Sequence, residues 1–402
     1  MTADAAVRPA LNPVDRRWMR QALALAERGW GRVHPNPLVG AVVVRGDELV
    51  GEGWHTEHGG LHAETMALGV AGEHARGATL YVTLEPCNHH GKQPPCVDAI
   101  LAAGIARVVL ASRDPNPVAS GGLERLQAAG VVVDVGIEEA EERHTNARFH
   151  HLHAASDRPF VAIKLAVSMD GCIADAEGSA RWLSGAAARE WVHYLRAGFG
   201  AVAVGAHTAL ADDARLTVRG GVTPRIPPAR VLFDRSGRLS GSEGIFHDDS
   251  GVPVIVVMSS AASQERRAAV QATGAIVILA ETLRESLAAL RVVGLDAILV
   301  EGGGRLAGAL LAEGLVDRVY QVQCPLWLGD GVRAWPGLGR DVVRGLYDVI
   351  GRKIEVLSQQ IVNRGIGLDS HYPGDTERIL MLAQLNAAFN TLGVLAFAPG
   401  IH

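Results

Sequence analysis

Two short stretches place the tightest demand on how this chain folds. LHAETMAL spans 61–68 and LEPCNHHGKQPPC spans 84–96. Together they hold two of only four cysteines in 402 residues, nine positions apart and each beside a proline, downstream of a His-x-Glu. His62, Cys87 and Cys96 form a ligand set. Imidazole and thiolate suit zinc in tetrahedral geometry, and a catalytic zinc keeps three protein ligands and leaves the fourth position to water. To serve one ion, three element ends must converge. HAETMALGVAG (62–72) reads as a helix starting at His62, and ATLYVTLEP (78–86) as a strand ending just before Cys87. PPCVDAILAAG (94–104) reads as a helix with prolines at its start and Cys96 in its first turn, where the helix dipole favours a thiolate. Glu64, two residues from a ligand, suits a proton carrier better than a fourth ligand. Such a zinc would lower the pKa of its water, and Glu64 would pass the proton to a leaving amine. A zinc that only staples the fold is a second reading, and no metal a third. Against the staple, structural zinc usually takes four ligands from closely spaced Cys pairs, and none is present here.

The surrounding text alternates between helical and strand patterns. DRRWMRQALALAERG (15–29) has helical periodicity. HPNPLVG (34–40) is a loop, and AVVVRGDELVGEGWH (41–55) a hairpin turning at Gly46-Asp47. ARVVLASRD (106–114) and VVVDVG (131–136) read as strands flanking a short helix, GLERLQAAG (122–130). This is a layered α/β domain, and 47 glycines suit its many strand-to-helix turns. EEAEERHTNARFHHLHAASDRP (138–159) reads as a helix leading into an inter-domain linker near 156–159, with His144, His150, His151 and His153 on a solvated face.

The HAE and Pro-Cys…Cys elements resemble the zinc-dependent cytidine and deoxycytidylate deaminase superfamily, whose short form is H-x-E with P-C-x-x-C. Here eight residues separate the cysteines. That longer form, with HPNPLVGAVVV (34–44), GATLYVTLEPC (77–87) and RDPNP (113–117), resembles the deaminase domain of the bifunctional riboflavin-biosynthesis deaminase/reductases. The resemblance implies a three-layer α/β/α deaminase domain over 1–155. Its implied substrate is a diamino-hydroxy-pyrimidine carrying a phosphoribosylamino group. Asn36 matches the base-binding Asn, whose amide both donates and accepts. Asp114 and Asn116 match the DPNP loop near the substrate. His89, His90 and Lys92, between the cysteines, are placed to neutralise the sugar phosphate.

A second α/β block begins at PFVAIKLAVSMDG (159–171). Strands are expected at AVAVGAHT, RVLFD, VPVIVVM, AIVILA, AILVEGGG and, last, VDRVYQVQ (316–323). Helices are expected at 186–197, 262–273, 282–292 and 305–313. Gly-rich EGGGRL (301–306) follows a strand and opens a helix, a weak signal for pyrophosphate that also suits an ordinary tight turn. With IKLAVSMDG, RWLSG (181–185) and LRAGFGAVAVGAHTALADDARLTVR (195–219), it resembles the same family's reductase domain, here 156–345, whose fold resembles dihydrofolate reductase. The resemblance implies hydride transfer from NADPH to the ribosyl C1, giving a ribityl product. It implies NADPH contacts at Val167, Trp182, Thr208, Asp212, Gly303, Gly304, Arg305 and Leu306. It implies substrate contacts at Ser184, Arg196, Leu216, Arg219 and Glu301. Arg196 and Arg219 make sense as phosphate clamps because a guanidinium binds bidentately. Lys164 and Asp170 are expected supports. Where the family often carries Ser two residues before the Trp, this chain has Ala180. Beyond about 345 the text, including QLNAAFNTLGVLAF, no longer resembles the family's ending, and the role of 346–402 is open.

Net charge of −5 with no basic stripe argues against a nucleic-acid surface, and so against an RNA-editing deaminase. No apolar run reaches membrane-spanning length, and MTADAAVRPALNPVDRRW lacks a signal peptide's apolar core. Four cysteines do not make a disulfide scaffold. A cytoplasmic, soluble, reduced enzyme acting on a small molecule is expected, and the family resemblance implies a homo-oligomer. Cys172 and Cys324 sit in apolar contexts and read as inert. Two alternatives stay open: an active deaminase with a silent reductase, and a zinc-stapled interaction protein.

Overall fold

α1 (Pro13–Ala26) is capped by Asn12, whose side chain accepts from the Val14 N–H, while Pro13 fills a first-turn position that needs no donor. Its buried stripe of Trp18, Met19, Ala22, Leu23 and Ala26 recurs at helical spacing. The computed structural model describes residues 12–177, 183–247, 250–336 and 354–356.

β1 (Gly40–Arg45) is buried from Gly40 to Val44, as an unbroken apolar run requires. The chain turns at Gly46, φ 63°, into β2 (Glu48–Trp54), antiparallel to β1 from Gly40↔Trp54 to Arg45↔Glu48. There follow α2 (Ala63–Ala71), β3 (Thr79–Leu84), α3 (Cys96–Ala103), β4 (Arg107–Ser112), α4 (Gly122–Ala128), β5 (Val132–Val135), α5 (Glu139–Thr145) and α6 (Ala147–Leu152). The sheet order is β2-β1-β3-β4-β5; β1 runs antiparallel to β3, and β3, β4 and β5 run parallel. Alternate strand residues feed opposite layers. Val42, Val44, Tyr81 and Val109 pack with Trp18, Met19 and Leu23 of α1. Val43, Val82 and Val108 pack with Ala63, Ala67, Val97, Ile100 and Leu126 on the other side. The expected three-layer α/β/α arrangement is present.

The rest of the chain supplies β6 (Phe160–Ser168), β7 (Cys172–Ala174), α7 (Ala186–Ala197), β8 (Ala201–Gly205), α8 (Ala206–Asp212), β9 (Ala229–Phe233) and β10 (Val254–Met258). It continues with α9 (Gln264–Ala272), β11 (Ile276–Leu279), α10 (Leu283–Val292), β12 (Ala297–Glu301), α11 (Gly304–Ala312), β13 (Arg318–Cys324), β14 (Val332–Arg333) and β15 (Ile354–Val356). Among the described residues the chain gathers into two compact units: 12–161 with His193–Leu299, and Ala162–Val192 with those from Val300 onward. The first unit holds the five-stranded sheet and a strand run in the order β11-β10-β9-β8-β12, parallel from β8 to β11. Its apolar centre includes Val204, Leu232, Val256, Met258 and Val270. In the second unit β6 pairs in parallel with β13 from Ala162↔Arg318 to Ser168↔Cys324, and β13 with β15. β7 pairs antiparallel with β14.

Several expectations change. The strand expected at AVAVGAHT stops at Gly205 and turns directly into α8. VDRVYQVQ is β13, but β14 and β15 follow it. The helix expected from 138 is split at Asn146, whose side chain is drawn away to the Leu38 backbone. Its histidines are not a solvated face. His150 Nε2 lies 3.0 Å from the Glu142 carboxylate, His151 Nε2 3.0 Å from the Arg158 carbonyl, and His153 packs edge-on against Phe149. QLNAAFNTLGVLAF lies outside the described residues.

One glycine shows how tightly α2 seats on the sheet. A Cβ at Gly53 would stand 2.6 Å from both the Ala63 carbonyl oxygen and the Ala67 nitrogen. Both neighbours are backbone and cannot rotate aside. Gly53→Ala is therefore expected to destabilise the protein by about 1–3 kcal/mol, as overpacking typically does; urea unfolding of the two proteins measures it.

Candidate active site

Three element ends do converge. His62 caps α2 at φ −77°, ψ 157°, and its side chain makes no capping bond, so the imidazole is free to turn into the pocket. Cys96 is the first residue of α3, after Pro95. Cys87 lies three residues past β3, anchored where its carbonyl accepts from Val97 N–H. Pro86 is seated against α4 so closely that a Cβ on Gly122 would stand 1.9 Å from its carbonyl oxygen. His62 Nδ1 lies 3.1 Å from Cys96 Sγ and 3.5 Å from Cys87 Sγ, and all three ligand atoms fall within 4.8 Å of one another. Cys96 is fully buried and Cys87 nearly so.

The chemistry of this donor set fits a dication. Hydrogen bonds from Cys96 draw the Cys87 thiol well below its ordinary range. The same contact, with burial, holds the Cys96 thiol far above its ordinary range. Two adjacent buried sulfurs cannot both be thiolates without positive charge between them, which zinc supplies. His62 is raised by its bond to Cys87. Glu64 is buried, and desolvation pushes its carboxyl up to about 7. A carboxyl poised there exchanges a proton readily at neutral pH.

These groups face a cavity of about 260 Å³ whose wall includes Asn36, His55, Glu64, His89, Lys92 and Asp114. His55 fixes the orientation of Asn36. Its Nδ1 lies 3.0 Å from the Leu61 carbonyl and must donate there, so its Nε2 accepts from Asn36 Nδ2 at 3.1 Å. One amide N–H and the Oδ1 of Asn36 are left for the cavity. Burial holds His55 below its ordinary pKa, which keeps it neutral for this task.

The opposite wall rests on Glu85. Its Oε1 accepts from the Gly121 and Leu123 N–H groups at 3.0 and 3.1 Å, and its Oε2 from Asp114 N–H at 3.3 Å. Asp114 in turn accepts from Asn116 N–H at 2.8 Å, and Asn116 Oδ1 from Val118 N–H at 3.1 Å. Asn116 thus lines the cavity while its oxygen holds a turn. Burial raises Asp114 to about 6. At the rim, Lys92 Nζ lies 3.2 Å from His58 Nε2. His90 is exposed and does not line the cavity. His55, His58, Glu85 and Phe149 were missed by the sequence reading. For His55 the only signal was its place at the end of β2, facing the Asn36 loop across the hairpin.

The reductase residues are placed one by one. Val167 is buried in β6, and its carbonyl accepts from Gln323. Thr208 is half-buried on α8, and Asp212 exposed at its end. Leu216 is buried in the apolar centre with φ 53°, so its side chain is core and only its backbone is available to a ligand. Arg196 donates to the Thr217 carbonyl at 2.7 Å, and the exposed Arg219 donates its N–H to His193 Nδ1 at 3.2 Å. Ser184 accepts from Arg189 through its carbonyl. Glu301 is buried at the end of β12. Gly302 and Gly303, φ 70° and 75°, turn the chain into α11, whose first residues are Gly304, Arg305 and Leu306. The Asp170 carboxylate accepts from Ser168 Oγ and from the N–H groups of Leu328 and Gly329. Trp182 and Ala180 lie outside the described residues.

Comparison with known proteins agrees with this geometry. Residues 13–112 match the cytidine and deoxycytidylate deaminase zinc-binding region, and residues 159–362 match the RibD C-terminal domain. The riboflavin biosynthesis protein RibD of Aquifex aeolicus is 38% identical over 353 residues, covering 88% of this chain and 98% of that one. This chain belongs to the RibD family. The Escherichia coli RibD is 38% identical over 343 residues, covering 81% of this chain and 92% of that one. The structure of a diaminohydroxyphosphoribosylaminopyrimidine deaminase/5-amino-6-(5-phosphoribosylamino)uracil reductase from Thermotoga maritima superposes with a TM-score of 0.69 at 37% identity, covering 82% of this chain and 92% of that one. Acinetobacter baumannii RibD gives 0.68 at 38%, covering 81% and 91%. The chain is a bifunctional deaminase and reductase of riboflavin biosynthesis, with a zinc-binding His-Cys-Cys cluster. The family match runs to 362, past the 345 at which the sequence resemblance was read to end, and β15 lies within that stretch.

Two measurements follow. Metal analysis is expected to find about one zinc per chain in the purified protein and almost none after Cys96→Ala, because two ligands do not make a tight site. For Asp114, burial raises the folded carboxyl to about 6 from an ordinary 3.8, so its charge opposes folding once the pH passes that range. Asp114→Asn is expected to stabilise the fold at pH 8 by up to about 2 kcal/mol, and by only about 0.5 kcal/mol at pH 4, where the folded carboxyl is protonated and the unfolded one about half so. Thermal unfolding at the two pH values checks the sign.

Proposed function

We propose that this chain deaminates 2,5-diamino-6-(5-phosphoribosylamino)pyrimidin-4(3H)-one to 5-amino-6-(5-phosphoribosylamino)uracil, then reduces the ribosyl group to ribityl with NADPH. The observation that carries the first step is a buried carboxyl, Glu64, beside three converging metal ligands. When bound to His62, Cys87 and Cys96, zinc supplies the Lewis acidity that makes water nucleophilic at neutral pH. Glu64 takes a proton from the attacking water and returns it to the leaving amine. Asn36, held by His55, offers an acceptor and a donor to the pyrimidine edge. Asp114 and Asn116 line the far wall, and Lys92 and His89 stand at the rim to meet the sugar phosphate.

For the second step, the left-handed turn at Gly302 and Gly303 leaves backbone N–H groups at the start of α11, a suitable hold for the cofactor pyrophosphate. Gly303, Gly304, Arg305 and Leu306 would make that hold. Val167, Trp182, Thr208 and Asp212 are the further NADPH contacts in this reading. Ser184, Arg196, Leu216 through its backbone, Arg219 and Glu301 are the substrate contacts. The deaminase domain is taken as 1–155 and the reductase domain as 156–345; the two family matches cover 13–112 and 159–362. Four free cysteines fit a reducing cytoplasm. No helix among the described residues is long and apolar enough to cross a membrane. A homo-oligomer is the expected assembly.

Ammonia release and NADPH absorbance, followed together on the diaminopyrimidine substrate, test both halves. Wild type is expected to show both. Glu64→Gln is expected to lower ammonia release by about 10³-fold with zinc retained, within the range a general acid–base contributes. The same variant, given the deaminated uracil directly, should still oxidise NADPH. Ammonia without NADPH oxidation in wild type would identify a silent reductase.

A further inference from the structure

α5 and α6 lie between the two family matches, which end at 112 and begin at 159. Neither helix carries a residue assigned to the chemistry. Yet two buried polar side chains, Glu142 of α5 and Asn146 at the junction of the two helices, are directed at the two loops that form the deaminase cavity. Asn146, 3% exposed, grips the Leu38 backbone at two points: its Oδ1 accepts from the Leu38 N–H at 2.7 Å, and its Nδ2 donates to the Leu38 carbonyl at 2.8 Å. Leu38 is two residues past Asn36. The same Nδ2 donates to Glu142 Oε1 at 2.8 Å. Glu142, with no exposure, accepts at Oε2 from Ser112 Oγ and lies 3.0 Å from His150 Nε2. Ser112 is the last residue of β4, two before Asp114, and its carbonyl accepts from Glu85 N–H at 3.0 Å. An unbroken string of bonds therefore runs from the backbone that presents Asn36 to the backbone that presents Asp114. Phe149, on the same helix pair, lines the cavity between them.

Stability alone is a poor reason for this string. A buried carboxylate surrenders its hydration, and packed apolar side chains of equal volume often hold a fold as well or better. What a saturated polar string provides, and apolar packing does not, is one geometry, because any shift leaves a buried donor or acceptor unpaired. We infer that Glu142 and Asn146 are positioning residues of the deaminase, setting the spacing between Asn36 and Asp114 across the substrate. The inference rests on the reading of those two residues as substrate contacts.

The test uses the full-length, zinc-loaded protein and steady-state ammonia release. Asn146→Ala is expected to raise KM about tenfold while kcat changes less than about threefold, since small displacements of binding groups are felt mainly in substrate affinity. Zinc content should stay at that of wild type. Glu142→Ala is expected to behave alike. Glu142→Gln should hold KM within about twofold of wild type, because its oxygen still accepts from Asn146 and its amide meets Ser112 Oγ and His150 Nε2, both able to accept. A purely structural role predicts the opposite signature: activity falling in step with zinc content and folded fraction at unchanged KM, and that result overturns the inference. If Asn146→Ala does not fold, Ser112→Ala replaces it. This variant removes one hydroxyl from the other end of the string and is expected to raise KM about threefold; an unchanged KM again overturns the inference. Asn36→Ala separates the two layers of the reading. A KM effect there with none in Asn146→Ala and Glu142→Ala defeats the positioning role alone, and no effect in any of the three defeats the cavity assignment and the inference together.

Discussion

The deaminase half is organised around one electrostatic demand: two sulfurs and an imidazole brought to a single point inside the protein. His62, Cys87 and Cys96 come from three different element ends, and none can shift independently. Cys96 is committed by the start of α3, His62 by the start of α2, and Cys87 by a loop whose Pro86 carbonyl is locked under α4. The tight glycine contacts of this half keep those ends in register. β2 carries Gly53 so that α2 can lie directly on it, which delivers His62 and Glu64 to the cavity. Glu64 then acquires its raised pKa because the layers around it exclude water.

Around the metal site the cavity walls are loops, and loops need their backbone groups satisfied. Buried side chains do this work. Glu85 satisfies three N–H groups of the 114–123 segment, and Asn146 both backbone groups of Leu38. His55 holds Asn36, and the Glu142 carboxylate joins the two sides. A saturated polar network of this kind gives stiffness in a low-dielectric interior, where an unpaired group is expensive. Stiff walls suit a cavity lined by hydrogen-bonding groups. The raised Asp114 carboxyl shows the other side of such a design, a group held in place against its own preference for water.

In the second half of the chain, the parallel strands carry an apolar centre, and the proposed cofactor hold lies at a strand-to-helix turn. The double glycine turn into α11 is the clearest case, since two successive left-handed residues suit glycine best and leave backbone donors at a helix start. Leu216 shows why a motif match does not translate directly into side-chain function. It takes a left-handed φ with its side chain in the apolar centre, so whatever it offers a ligand comes from its backbone.

Much of this protein was legible in its sequence, and for identifiable reasons. The metal ligands, Glu64, the alternation of strands and helices and the family resemblance all rest on local signals: residue type, periodicity of 2 or 3.6, and short spacings. Those signals survive in one dimension because each belongs to a single element. The supporting residues do not share that property. Glu85, His55, Glu142 and Asn146 are ordinary polar residues in text that reads as strand end, loop and linker helix. Their roles arise only when segments from 19 residues apart, Asn36 and His55, to 108 apart, Leu38 and Asn146, are brought within hydrogen-bonding distance. By itself the sequence determined the metal-ligand set and the family to which the chain belongs. Only the tertiary structure decided what holds them, because a buried hydrogen bond between distant segments leaves no periodic trace in either one.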